Sequence, residues 1–272
     1  MASSTANPPV SATDNALKYC HWLLTAALGL VFAFELYQPV HSPVLDVVLL
    51  LLAVVVCITS MNRQIPMQNI ALGVCITALI GGLAHGLSAL HGVAMPFGPI
   101  YFHDPSGARI FGLVPWVMPL VWVVALFSSR GTARVILRPW RKLKSYGYWL
   151  IGLTAVLITA FDFALEPFAV QIHGYWSWQM TKIPLVWYGA SPLNFFAWAV
   201  VCLLILGFAT PTLIKKKPGS RTPLDLNPLG IWLGAIVLFA VACARAALWP
   251  AVIADGVIAV ITLIFAIRGA SW

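Results

Sequence analysis

Apolar residues in this chain run in long blocks, broken by proline, glycine and clusters of charge. They show neither the two-residue alternation of a half-buried strand nor the polar stripe of a surface helix. Blocks of this length predict membrane-spanning helices at about 19–38, 44–60, 67–90, 110–128, 146–165, 192–214, 229–248 and 251–267. Backbone groups in lipid must satisfy each other, and runs this long without alternation exclude a β-barrel, so the predicted fold is an all-α, polytopic membrane bundle. Trp249-Pro250 is the only break between the last two blocks, so a seven-helix reading stands beside the eight-helix one. Residues 1–18 are polar, rich in Pro, Ser and Ala, and lack a basic stretch before the first block. They read as a disordered cytoplasmic tail without a cleavable signal, leaving 19–272 as one integral-membrane domain.

Composition agrees with this pattern. Of 272 residues, 61% are hydrophobic and 9% charged, too little polar surface to cover a soluble domain. The formal charge of +8 does not point to nucleic acid, because the basic residues sit in loops. Arg130, Arg134, Arg138, Arg141, Lys142 and Lys144 follow the fourth block; Lys215, Lys216, Lys217 and Arg221 follow the sixth. If both loops are cytoplasmic, Lys18, Arg63 and Arg268 fall on the same side, and both termini are inside. The expected location is therefore the cytoplasmic (inner) membrane, with lipid headgroups against the basic loops. The five cysteines lie singly in apolar runs and read as small apolar fillers.

The acids take the other face. Glu35, Asp46, Asp104, Asp162, Glu166 and Asp255 fall at or near it, leaving only Asp14 and Asp225 inside. His41, His91, His103 and His173 share that face, with His85 a little deeper. Acids within or at the ends of apolar helices are costly and usually functional. Asp162 and Glu166 stand four apart on one helix face, within reach of each other. Two carboxyls in a poorly solvated site do not both ionise cheaply, so one keeps its proton beside an ionised partner, the division that general acid–base chemistry needs. Pro167 is expected to end that helix.

Two aromatic stretches surround the pair. Residues 173–178, with Trp176 and Trp178, and 187–198, with Tyr188, Asn194, Phe195 and Trp198, form a long connection and the start of the next block. The loop after the third block carries Phe97, Tyr101, His103 and Asp104. Aromatic faces can hold a flat polyene and stabilise a cation. His85, His91 and His103 lack metal-ligand spacing, so no metal is expected.

At these residues the chain resembles the membrane carotenoid-biosynthesis family typified by the bacterial and archaeal carotenoid 1,2-hydratases that act on γ-carotene and bisanhydrobacterioruberin. Pro96-Phe97-Gly98 with Tyr101 resembles a P-F-G-x-Y-x-Y element, with His103 in place of its second tyrosine. Phe111-Gly112 through Pro115, Pro119 and Trp122 resembles the stretch that follows. Asp162-x-x-x-Glu166-Pro167 resembles a D-x-x-x-D-P element, with Glu166 for the second Asp. Trp176-x-Trp178 and Tyr188-Gly189-x-x-Pro192-x-Asn194-Phe195-x-x-Trp198 complete the likeness. A glutamate expected in the third helix is absent.

The resemblance implies a hydro-lyase that adds water across the terminal C1–C2 double bond of a linear carotenoid ψ-end, giving a tertiary alcohol with no cofactor. It makes Asp162 and Glu166 the acid–base pair, either one donating. Asn194 would fix water, with His103 and Asp104 closing the site as further catalytic candidates. Phe97, Tyr101, Trp176, Trp178, Tyr188, Phe195 and Trp198 would bind substrate, and Glu35, His85 and His173 are secondary candidates. Partners are a linear carotenoid, water, membrane lipid and other carotenoid-biosynthesis enzymes, with no nucleic acid. A non-catalytic carotenoid or isoprenoid binder would need the aromatics without the acids. A proton-coupled transporter would use Glu35 and Asp255 with Arg245.

Overall fold

The computed structural model describes residues 12–38, 42–179, 184–214 and 224–272, with side chains from Lys18 onward. Eight α-helices make up the described chain: α1 (Ala12–Tyr37), α2 (Pro43–Asn62), α3 (Met67–Ala89), α4 (Met118–Ile136), α5 (Tyr146–Pro167), α6 (Pro192–Ala209), α7 (Asn227–Arg245) and α8 (Trp249–Ala270). Seven of them are long and apolar enough to cross a membrane. The protein is thus an all-α, multi-pass membrane bundle. Residues 1–11, His41, Lys182, Lys215, Lys216, Lys217 and Arg221 lie outside the described residues, as does the side chain of Asp14.

The helix that falls short is α4, and it departs most from expectation. The predicted span at 110–128 begins instead as two short strands, β2 (Arg109–Ile110) and β3 (Val114–Pro115), and the helix starts at Met118. It then runs past Ser128 through Arg130 and Arg134 to Ile136. Fourteen of its nineteen residues are buried, because α2, α3, α5, α7 and α8 pack around it. A helix sheathed by other helices needs no lipid-compatible face, so it can carry Ser128, Ser129, Thr132 and Arg130 in place of aliphatic residues. Among these polar groups Arg130 Nη2 donates to the Leu213 carbonyl at 3.5 Å and Ser128 Oγ to the Ala125 carbonyl at 3.4 Å, and the nearby Arg134 Nη2 donates to Gln64 Oε1 at 2.9 Å, whereas Ser129 Oγ and Thr132 Oγ1 are buried with no hydrogen-bond partner among the described residues.

Three other boundaries move. Helix α1 begins at Ala12, inside the stretch expected to be a tail. The last two blocks are separate helices whose break lies at Ala246–Leu248, where Ala247 has φ +56°; Trp249-Pro250 forms the first turn of α8, where proline is tolerated. Pro167 is the last residue of α5, but the helical path does not stop there. Its backbone is helical at φ −60°, and the chain continues as a π-turn, Phe168–Ile172, closed by the His173 N–H on the Phe168 carbonyl at 3.2 Å. Pro167 lacks the N–H that would bond the Phe163 carbonyl, and that carbonyl accepts from Trp187 Nε1 at 2.9 Å instead, while burial of Phe168 and Ala169 holds the π-turn in place.

Cross-bundle bonds define the two ends. At one, Arg245 donates to the Leu36 and Gln38 carbonyls, and Tyr175, beyond the end of α5, reaches Asp46 at the start of α2. At the other, Asn227 Nδ2 meets His21 Nε2 at 2.9 Å, His21 Nδ1 meets Thr59 Oγ1 at 2.8 Å, and Ser60 bonds Asp225. The first end carries Glu35, Asp46, Asp162, Glu166 and Asp255; the second carries the arginines that follow α4.

Over the acidic end lies a two-stranded ribbon in which β1 (Ile100–Phe102) pairs antiparallel with β4 (Trp176–Trp178), Phe102 opposite Trp176. The ribbon ties the loop after α3 to the long connection after α5. Beneath it is an aromatic core. Trp122 and Trp198 stack at 4.0 Å, Phe97 and His85 pack beside them, and Trp122 Nε1 donates to His85 Nδ1 at 3.0 Å. Gly81 makes room for this stack, since a Cβ there would lie 2.3 Å from Trp122 Cγ.

Candidate active site

The i, i+4 spacing on α5 turns Asp162 and Glu166 the same way, and both are buried, each 1% exposed. Asn194, in the first turn of α6, bridges them: its Nδ2 donates to Asp162 Oδ2 at 2.7 Å and to Glu166 Oε1 at 3.3 Å. The other Glu166 oxygen accepts from Trp178 Nε1 at 2.9 Å and Trp176 Nε1 at 3.3 Å. Helix α5, helix α6 and the ribbon strand β4 thus contribute to one cluster. Asn194 Oδ1 is buried without a hydrogen-bond partner among the described residues. Glu166 receives three N–H donors and Asp162 one, so negative charge is better compensated on Glu166.

An apolar cavity of about 450 Å³ runs beside this cluster, bounded by α1, α2, α4, α5 and α7. On α7 its lining extends from Asn227 to Phe239, roughly 18 Å of helical rise. Phe161, Leu165, Phe168 and Trp176 form its wall at the acidic end. Asp162 and Glu166, beside Phe161 and Leu165 on α5, are not in the wall. Trp176 stands between, lining the cavity while its indole N–H is held by Glu166.

A second polar group does reach the cavity. Tyr175 Oη donates to Asp46 Oδ2 at 2.5 Å, and His173 Nε2 lies 3.2 Å from the same oxygen. The His173 and Tyr175 rings stack at 4.7 Å. Glu35 is fully buried close to both Asp46 and Tyr175. Burial, with Asp46 and Glu35 adding to it, pushes the Tyr175 phenol above its ordinary value, so it serves as a donor.

The residues expected at the site separate into groups. Asp162, Glu166, Asn194, Trp176 and Trp178 come together. Phe97, Trp198 and His85 belong to the aromatic core instead. Glu35 and His173 join Asp46. Tyr101, His103 and Asp104 stay on the exposed side of the ribbon: His103 Nε2 pairs with Ser177 Oγ at 2.9 Å, and Asp104 lies 3.7 Å from Arg109. The cause is strand alternation, which sends Ile100 and Phe102 inward and Tyr101 outward. Tyr188 sits in the tight turn between Trp187 and Ala190, where Tyr188 (φ +48°) and Gly189 (φ +100°) are both left-handed; it points toward Ala251 on α8. Phe195 packs on Phe163, which stacks with Trp187. Asp46 and Tyr175 were not among the candidates. Their signal was an acid in the first turn of an apolar helix and a tyrosine beside a tryptophan pair.

A helical membrane protein that carries an apolar cavity next to buried carboxyls is suited to chemistry on a hydrophobic chain. The chain belongs to the carotenoid biosynthesis protein family, whose family model matches residues 44–262. No curated protein and no solved structure matches it.

Proposed function

We propose that this family member is a carotenoid hydratase, adding water across the terminal C1–C2 double bond of a linear ψ-end to give a tertiary alcohol. The observation that carries this reading is the apolar cavity whose acidic end is walled by Trp176, an indole held by a buried carboxyl cluster. Protonation at C2 leaves a tertiary cation at C1. A desolvated indole face stabilises a cation by about 2 kcal/mol, and N–H donation to Glu166 enriches that face in electron density. Asp162 holds the proton the pair retains and Glu166 the charge, giving the cation a fixed negative neighbour. Because the pair lies behind the wall, it acts through Trp176 and not by contact with substrate. Asn194 keeps the two carboxyls together. The substrate reaches the cavity from the cytoplasmic membrane, with the acidic end facing outward and both termini inside.

Expression in a lycopene-accumulating bacterium, with chromatography and mass measurement of the pigments, tests the reading. A gain of one water per reacted end supports it; unchanged lycopene co-purifying with the protein favours a non-catalytic carotenoid binder. Glu166→Gln, which removes the charge, is expected to lower hydrated product more than tenfold while pigment still co-purifies.

A further inference from the structure

Hydration needs an acid that touches the alkene, and the Asp162–Glu166 pair lies behind the cavity wall. Asp46 lines the cavity, and among the described lining residues it is the carboxyl. It stands at the same end as Trp176, whose chain neighbour Tyr175 bonds it directly. Tyr175 and His173 both address Oδ2, while Oδ1 is buried with no hydrogen-bond partner among the described residues. Both helpers are fixed by the π-turn: His173 N–H closes it, and Tyr175 N–H bonds the Ala169 carbonyl at 2.9 Å.

Resting on the hydratase reading, we propose that Asp46 is the catalytic acid and base, oriented by Tyr175 and His173. The Asp46 O–H bond breaks as the C2–H bond forms, leaving the cation at C1 beside Trp176. Water adds to C1 through its oxygen, and its surplus proton returns to the Asp46 carboxylate. Alkene plus water becomes tertiary alcohol, with no electrons exchanged and the acid regenerated. The two polar clusters then divide the work across one indole. Glu166, tied to Asp162 through Asn194, holds its N–H edge, while Asp46 and Tyr175 line the cavity.

The test compares the wild-type protein with Asp46→Asn and Tyr175→Phe in the lycopene-accumulating host. Hydrated product and the unhydrated pigment that co-purifies with detergent-extracted protein are both measured. Asp46→Asn is expected to lower hydrated product at least hundredfold, as loss of a general acid does, with pigment and protein yield unchanged. Wild-type product from Asp46→Asn overturns the assignment; so does parallel loss of pigment and protein, which marks a structural role. Tyr175→Phe keeps the ring and removes the donor. It is expected to lower product about tenfold with pigment retained, and wild-type product from it likewise overturns the proposal. A wild-type protein that hydrates nothing refutes the hydratase reading itself, a result distinct from an active protein indifferent to Asp46.

Discussion

Asn194 gives both amide hydrogens to carboxyls from a neighbouring helix, so its removal leaves buried Asp162 without that donor and Glu166 with only the two indoles. Asn194→Leu is expected to cost roughly 3–5 kcal/mol, the scale for breaking a buried charged contact, read as a lower melting temperature in detergent. Trp178→Phe keeps the packing but removes the shorter indole bond to Glu166. It is expected to cost about 1.5–3 kcal/mol, the scale for a hydrogen bond to a charged group, seen in the same melt. This cluster was legible in the chain because its core is local: four-residue spacing places Asp162 and Glu166 on one face whatever the tertiary fold. Asp46 and Tyr175, 129 positions apart, were not, since no local rule brings such residues together. Tyr101 and His103 misled for a different reason. Three residues of strand suffice to set which side chains face in, and the loop's prolines and glycines hid the alternation.

At the scale of elements, seven helices announced themselves through lipid-facing apolar surface. Helix α4 was legible only in part: the apolar block at 110–128 covers Met118–Ser128 but not Ser129–Ile136, because that helix is surrounded by protein and periodicity against lipid says little about it. The π-turn after α5 was hidden too, since proline normally stops a helix and only packing around Phe168 and Ala169 lets this one continue. Pro167→Ala restores a backbone donor and favours a regular helical turn. The expected outcome is a folded protein of equal or higher melting temperature whose hydrated product falls at least tenfold, because His173 and Tyr175 rotate away from Asp46. Gly81→Leu forces side chain into the Trp122–Trp198 stack, with an expected loss of about 1–3 kcal/mol from overpacking and an altered near-ultraviolet dichroism signal.

For the whole molecule, the arginines that follow α4 lie at the end opposite Glu35, Asp46, Asp162, Glu166 and Asp255, which predicts an orientation that labelling can check. In a background without native cysteines, Asp104→Cys and Leu143→Cys are expected to react with an impermeant maleimide from opposite sides of the membrane, Asp104→Cys from outside. Labelling of both from one side refutes the arrangement. The cavity's length is open to test as well. Gly230 lines it with open space around its Cα, so Gly230→Leu is expected to fold normally yet lower hydrated product, more for longer carotenoids than for shorter ones.

That long apolar channel has its carboxyl at a single extremity, which makes it directional. On the hydratase reading, a molecule with two identical termini presents one of them per visit and must withdraw and turn about before the other is modified. The singly hydrated species is then a released compound in its own right, available to any neighbouring enzyme that competes for it.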